Sequence, residues 1–165
     1  MKRLCCLLLL LFFQWSLHAG QDRYEIETAY FHDEQHQHTF ESAQAQTFMP
    51  YQGQLRLGFI GGETWIRIRL KDTQPSASVE PASPLVFRVE PYSLNSLVFF
   101  QRHGENWTQQ RGGELPLDLK NLCIELQHCF QFKASNIGSN FAYLKVETTG
   151  YRIVRGSVMA AMGVR

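Results

Sequence analysis

A chain of 165 residues can hold one domain with a real core once any leader is removed, and is short for two. Lys and Arg total 16 against 15 Asp and Glu, a formal net charge of +1, so there is no basic field to draw in a phosphate backbone and nucleic acid is not an expected partner. Hydrophobic residues at 44% and aromatics at 13%, led by 12 Phe, suit an aromatic-rich β core and argue against a disordered chain.

Residues 1–19 read as a secretory signal peptide: Lys2 and Arg3, the apolar run Leu4 to Phe13, then Leu17-His18-Ala19 as a small-residue cleavage site. Gln14, Ser16 and His18 interrupt the run short of the roughly 20 apolar residues of a spanning helix, so an uncleaved anchor is the weaker alternative. Cys5 and Cys6 lie inside the run and leave with it. The expected location is the periplasm.

Residues 20–52 read as a polar lead-in outside the core, with Tyr24, Ile26, Tyr30 and Phe31 as its early apolar anchors. Its cluster His32, Asp33, Glu34, His36 and His38 is metal-capable. A polar lead-in more often carries histidines without a ligand, so neither a metal nor any other cofactor is expected. Thr39 is placed to cap a short helix over Phe40 to Gln46, which Met49-Pro50 ends.

Residues 53–165 carry the main domain. Side chains alternate with period two in Trp65 to Leu70, Leu85 to Glu90 and Tyr143 to Glu147, and shorter runs at Leu97 to Phe100 and Phe130 to Lys133 continue the series. Turn clusters at Gly61-Gly62, Pro75 to Pro84, His103 to Asn106, Gly112-Gly113 and Asn136 to Asn140 separate them. Short strands with such turns predict an all-β antiparallel sandwich or barrel, and no crossover helices support a parallel α/β fold. The tail Gly156 to Val164 is too short to span a bilayer.

Alternation sorts Ile66, Ile68 and Leu70 to one face and Trp65, Arg67 and Arg69 to the other. Arg88 and Glu90, with Tyr143 and Lys145, can occupy matching outer positions. Aromatic planes stack on pyranose rings while guanidinium and carboxylate groups match vicinal hydroxyls, so these seven residues are the candidate ligand-binding set. The competing reading is a solvated outer face with cross-strand ion pairs. Glu90 and Glu147 beside arginines would be stronger acids, the opposite of what a general acid needs, and neither a nucleophile elbow nor a zinc-protease helix motif is present. A non-catalytic protein is expected. Asn106-Trp107-Thr108 matches a glycosylation acceptor by coincidence, and Trp107 is expected to pack beside the Gly104 turn.

Cys123 and Cys129 form an even pair in an oxidising compartment. On one straight strand their Cα atoms would stand about 20 Å apart, so a disulfide requires the chain to turn back between them; otherwise they are two free thiols.

The segment Leu57-Gly58 followed by Gly61-Gly62-Glu63-Thr64-Trp65-Ile66-Arg67-Ile68-Arg69-Leu70 resembles the signature strand of the type 2 extracellular domain of bacterial seven-transmembrane receptors with diverse intracellular signalling modules, 7TMR-DISM. Leu97-Val98-Phe99-Phe100 with Gly104, Arg111-Gly112-Gly113-Glu114-Leu115-Pro116 and Tyr143 to Thr148 resemble later landmarks. The stretch from Leu117 to Cys129 departs from the pattern. The resemblance covers the chain from about Tyr30 onward and implies a jelly-roll β-sandwich similar to carbohydrate-binding modules, outside the inner membrane and ahead of seven helices. It implies a ligand-sensing role, with a carbohydrate or small molecule as partner. The alternatives are an interaction domain docking another receptor ectodomain or a homodimer partner, and a stand-alone exported carbohydrate-binding protein. Since the sequence given ends at Arg165, membrane association would come through further helices or a partner.

Overall fold

The computed structural model describes residues 24–58, 61–73, 85–90, 94–113, 128–138, 140–147 and 152–160. The expected leader, the Pro75 to Pro84 turn and Cys123 lie outside these. The elements in chain order are β1 (Tyr24–Asp33), α1 (Phe40–Gln44), β2 (Met49–Tyr51), β3 (Gln54–Gly58), β4 (Glu63–Asp72), β5 (Leu85–Glu90), β6 (Ser96–His103), β7 (Asn106–Gly112), β8 (His128–Phe132), a 3-10 turn (Ala134–Asn136), β9 (Ala142–Glu147) and β10 (Arg152–Ala160).

They form two antiparallel sheets, a six-stranded one ordered β2-β1-β4-β9-β6-β7 and a four-stranded one ordered β3-β10-β5-β8. The all-β sandwich expected from alternation is the fold. Ile66, Ile68 and Leu70 of β4 point inward as expected, against Leu85, Phe87 and Val89 of β5. Phe99 of β6 joins the two layers, its ring centroid 5.7 Å from that of Phe87 and 5.3 Å from that of Phe130, each pair stacked at 20°. Offset aromatic stacking of this kind adds to the area these rings bury.

One segment differs from the sequence reading. The polar lead-in is part of the sandwich: β1 pairs with β4 over ten positions, from Tyr24 opposite Asp72 to Asp33 opposite Glu63. Tyr24, Ile26 and Tyr30 pack on the core, while Glu25 and Glu27 take the intervening outer positions; the acidic residues hide an ordinary half-buried strand. The tail also belongs to a sheet, since β10 lies between β3 and β5. There Gly156 faces the Phe87 ring so closely that an added Cβ would stand 2.5 Å from it. A glycine inside a strand marks such close approach.

The two layers are also joined by glutamines. Gln101 of β6, 1% exposed, donates to the Gln131 carbonyl at 2.7 Å and accepts from the Lys133 amide at 2.9 Å and the Asn136 carboxamide at 3.3 Å. Gln110 of β7 donates to the same Gln131 carbonyl and accepts from the Gln131 amide, both at 3.0 Å. Replacing Gln101 by leucine strands the Lys133 amide without its acceptor in a part-buried site. A loss of about 1–3 kcal/mol is expected in urea unfolding; an unchanged midpoint would show that water replaces the contacts.

Between β1 and β2 the chain folds back over the outer face of the six-stranded sheet. The Asp33 carboxylate starts this covering segment by accepting from the backbone N–H groups of Gln37 at 3.1 Å and His38 at 2.8 Å. Thr39 then caps α1, its hydroxyl accepting from the Ser42 amide, as the sequence predicts. The helix ends at Gln44, two residues before the predicted end. Burial pushes the Asp33 carboxyl up, but the donors from His38 and Gln37 outweigh it and hold it below the ordinary Asp value. A carboxyl depressed in the folded state contributes stability above its unfolded pKa and loses it as pH falls through the folded one. Asp33→Asn should therefore flatten the loss of stability below about pH 4, read as unfolding midpoint against pH; an unaltered acid limb would contradict this.

Candidate functional site: a groove on the outer face of the six-stranded sheet

The outer positions of β1, β4, β9, β6 and β7 make one continuous surface, and the pairing register fixes its neighbours. Trp65 stands opposite Lys145 and Arg67 opposite Tyr143, while on the other side of β4 Phe31, Ala29 and Glu27 stand opposite Trp65, Arg67 and Arg69. This surface has two parts of different character.

One part is closed. Ala43 and Phe48 of the covering segment bury Trp65 and Tyr143 in a second hydrophobic cluster, with Phe40, Phe100 and Trp107 at its margin. Phe40 of α1 stacks on Phe100 at 4.2 Å and meets Trp107 edge-on at 4.8 Å and Tyr143 edge-on at 5.7 Å. Trp65 is 1% exposed and Tyr143 6%. The expectation that Trp65 points away from the sheet-to-sheet core is met, but the indole is not presented to solvent. Trp107 packs on this cluster, not merely beside the Gly104 turn, and the Arg102 guanidinium carbon lies 4.6 Å from its ring centroid. Burial pushes the Tyr143 phenol up, only partly offset by the nearby charges of Arg67 and Arg102.

The other part is open. A groove of about 610 Å³ runs beside β1, β2 and β4, lined by Glu25 to Ala29, Pro50 to Gln52, Arg67, Arg69 and Phe141. Arg69 and Lys71 both pair with the Glu27 carboxylate, and the Lys71 and Arg69 hydrogen bonds hold that carboxyl below its usual range. The Arg67 guanidinium carbon lies 4.6 Å from the Phe141 ring centroid and 4.9 Å from that of Phe48, with Arg69 5.3 Å from Phe141. Tyr51 is largely buried, which pushes its phenol up to about 12; it stays a neutral hydrogen-bonding group at any physiological pH.

The seven candidate residues are thus not one constellation. Arg67 and Arg69 share the groove. Trp65 and Tyr143 lie under the covering segment. Lys145 pairs with Glu63, which His36 also approaches at 3.4 Å. Arg88 and Glu90 belong to β5 of the four-stranded sheet, whose alternate residues Leu85, Phe87 and Val89 fill the core. They therefore sit on the opposite outer face of the sandwich, where Arg88 approaches Glu90 at 3.5 Å and donates to the Ser157 hydroxyl at 3.2 Å. Period-two reasoning gives inside or outside but not which sheet, so it merged two surfaces into one. It also missed Glu27, Tyr51 and Phe141. Glu27 was recoverable from the alternation of β1 itself; Tyr51 and Phe141 flank short or irregular backbone and carry no periodic signal.

Cys129, on β8, is disulfide-bonded, in keeping with an oxidising compartment.

No curated protein matches the chain. The 7TMR-DISM extracellular 2 family matches residues 26–159, a span that runs from β1 into β10 and takes in both sheets. The chain belongs to the 7TMR-DISM extracellular 2 family, and its role is that of a periplasmic sensor domain of a receptor.

Proposed function

We propose that the domain senses a carbohydrate or related small molecule, without catalysis, and that the groove beside β1, β2 and β4 is where the ligand binds. The observation that carries this is the grouping in one groove of about 610 Å³ of two guanidinium groups, two carboxylates and the half-buried Phe141 ring. A volume of that size fits a small ligand, and a lining that is about as polar as apolar suits a hydroxyl-rich one. Guanidinium and carboxylate groups match vicinal hydroxyls, and an aromatic ring takes the apolar face of a pyranose. The strand order β3-β10-β5-β8 against β4-β9-β6-β7 supports the jelly-roll reading of the sandwich. The leader-like first residues support export.

The test is calorimetric titration with oligosaccharides, including peptidoglycan fragments and exopolysaccharide pieces. No heat for any of them would sink the proposal. For a saccharide that binds, Phe141→Ala should weaken affinity about 3- to 10-fold. Arg88→Ala, on the far face, should leave it unchanged; the reverse pattern would move the site to the four-stranded sheet.

A further inference from the structure

Among the cations of the groove, Arg67 differs from its neighbours. Arg69 and Lys71 share the Glu27 carboxylate. Arg67, half-buried, has two phenyl rings within 5 Å of its guanidinium carbon and no carboxylate or carbonyl partner among the described residues. Its cross-strand neighbours are Ala29 on β1 and Tyr143 on β9, and neither is an acid. Glu25, the other acidic residue of the lining, stands opposite Lys71, four residues along β1 from Ala29 and so about 13 Å away. A guanidinium has five N–H donors in a planar fork. Phenyl rings hold its flat face by cation–π attraction but accept none of the in-plane hydrogen bonds that the fork can make.

We infer that the ligand of this groove carries a carboxylate, received in bidentate fashion by Arg67; it is an acidic saccharide such as a uronic or muramic acid unit. The inference rests on the groove being a saccharide site and adds the charge of the ligand. Arg67 would orient the carboxylate end while Phe141, which also lies 5.3 Å from Arg69, takes the sugar ring. A neutral sugar would leave the Arg67 fork without a matching acceptor, which is the basis on which the site would discriminate.

The experiment compares each acidic oligosaccharide with its own methyl ester, which keeps the shape and removes the charge. Trigalacturonic acid, a hyaluronan tetrasaccharide and a muramic-acid-containing disaccharide serve as probes, titrated into the full chain at low and moderate salt. At least one acid should bind tenfold or more tighter than its ester, the advantage shrinking as salt rises. Arg67→Gln, which removes both the charge and the fork, should bring acid and ester close together, while Arg67→Lys, which keeps the charge but not the fork, should retain only part of the preference, neither variant moving the thermal midpoint by more than a few degrees. Acid and ester binding alike would overturn the carboxylate while leaving a saccharide site in place. Neutral and acidic probes all failing to bind would remove the saccharide reading and the inference with it. An acid preference that survives Arg67→Gln undiminished would place the carboxylate elsewhere and overturn the assignment to Arg67.

Discussion

Trp65→Ala is expected to lower the free energy of unfolding by about 3–5 kcal/mol, the range for removing a large aromatic from a packed interior. The side chain lies on the outer side of its sheet, yet it is among the largest fully buried residues of the domain. Its ring centroid is 6.0 Å from that of Phe100 and 6.4 Å from that of Phe40, and the Lys145 ammonium lies 5.6 Å away. The collapse of α1 onto the sheet depends on this filling. The indole N–H is buried with no hydrogen-bond partner among the described residues, a standing cost that the phenyl ring of Trp65→Phe would not carry. That variant should therefore stay within about 1.5 kcal/mol of the parent, and it keeps the comparison measurable if the alanine variant does not fold. A change within about 0.5 kcal/mol for Trp65→Ala, as at an ordinary surface position, would show that the indole is available to ligand and that the covering segment is not packed down.

Gly62→Ala should cost about 2–5 kcal/mol, because two separate effects coincide at one residue. Its φ of 84° lies in the left-handed region, where a side chain costs about 1–2 kcal/mol. An added Cβ would also stand 2.3 Å from the Asp33 carbonyl oxygen and 2.6 Å from the Glu34 Cα, which is backbone and cannot rotate aside. Relief requires moving the end of β1 and the start of the covering segment, and overpacking of that kind adds about 1–3 kcal/mol. Gly53 gives the control: its φ of 69° is similar and nothing lies within 4 Å of the added atom, so Gly53→Ala should show the conformational part alone. Equal losses in the two variants, read from urea unfolding, would mean that the approach at Gly62 is not tight.

The strands most legible in the sequence are those whose outer residues are charged and whose inner ones are large aliphatics or phenylalanines. β4, β5 and β9 are read almost to their ends on that pattern, because a single residue of slip would turn Ile66, Ile68 and Leu70 to the outside. β1 is less legible since its inner residues include Thr28 and two tyrosines and its histidines suggest a solvated segment. β10 hides behind Gly156 and Ser157, whose small size serves the Phe87 ring and the Arg88 side chain rather than local strand propensity. The site was half visible: Arg67 and Arg69 could be assigned to an outer face, but what separates a groove from a plug is the path of residues 34–48. That path is set by Asp33, Thr39 and Phe40 acting across the fold, and no local pattern encodes it.

The glutamine contacts at β8 bear on whether the four-stranded sheet can be extended. β8 borders the four-stranded sheet, and a border strand ordinarily offers unpaired amides and carbonyls to any extended peptide that drifts past. At Gln131 both backbone groups are already engaged by the Gln110 carboxamide, so among the described residues a side chain takes the place of a neighbouring strand there. The opposite sheet ends at β2, only three residues long with Pro50 in the middle, and proline supplies no amide to extend a ladder. Strand addition is discouraged at these two margins, so an extended peptide that joined either sheet would have to do so at β3 or β7, the other two edge strands.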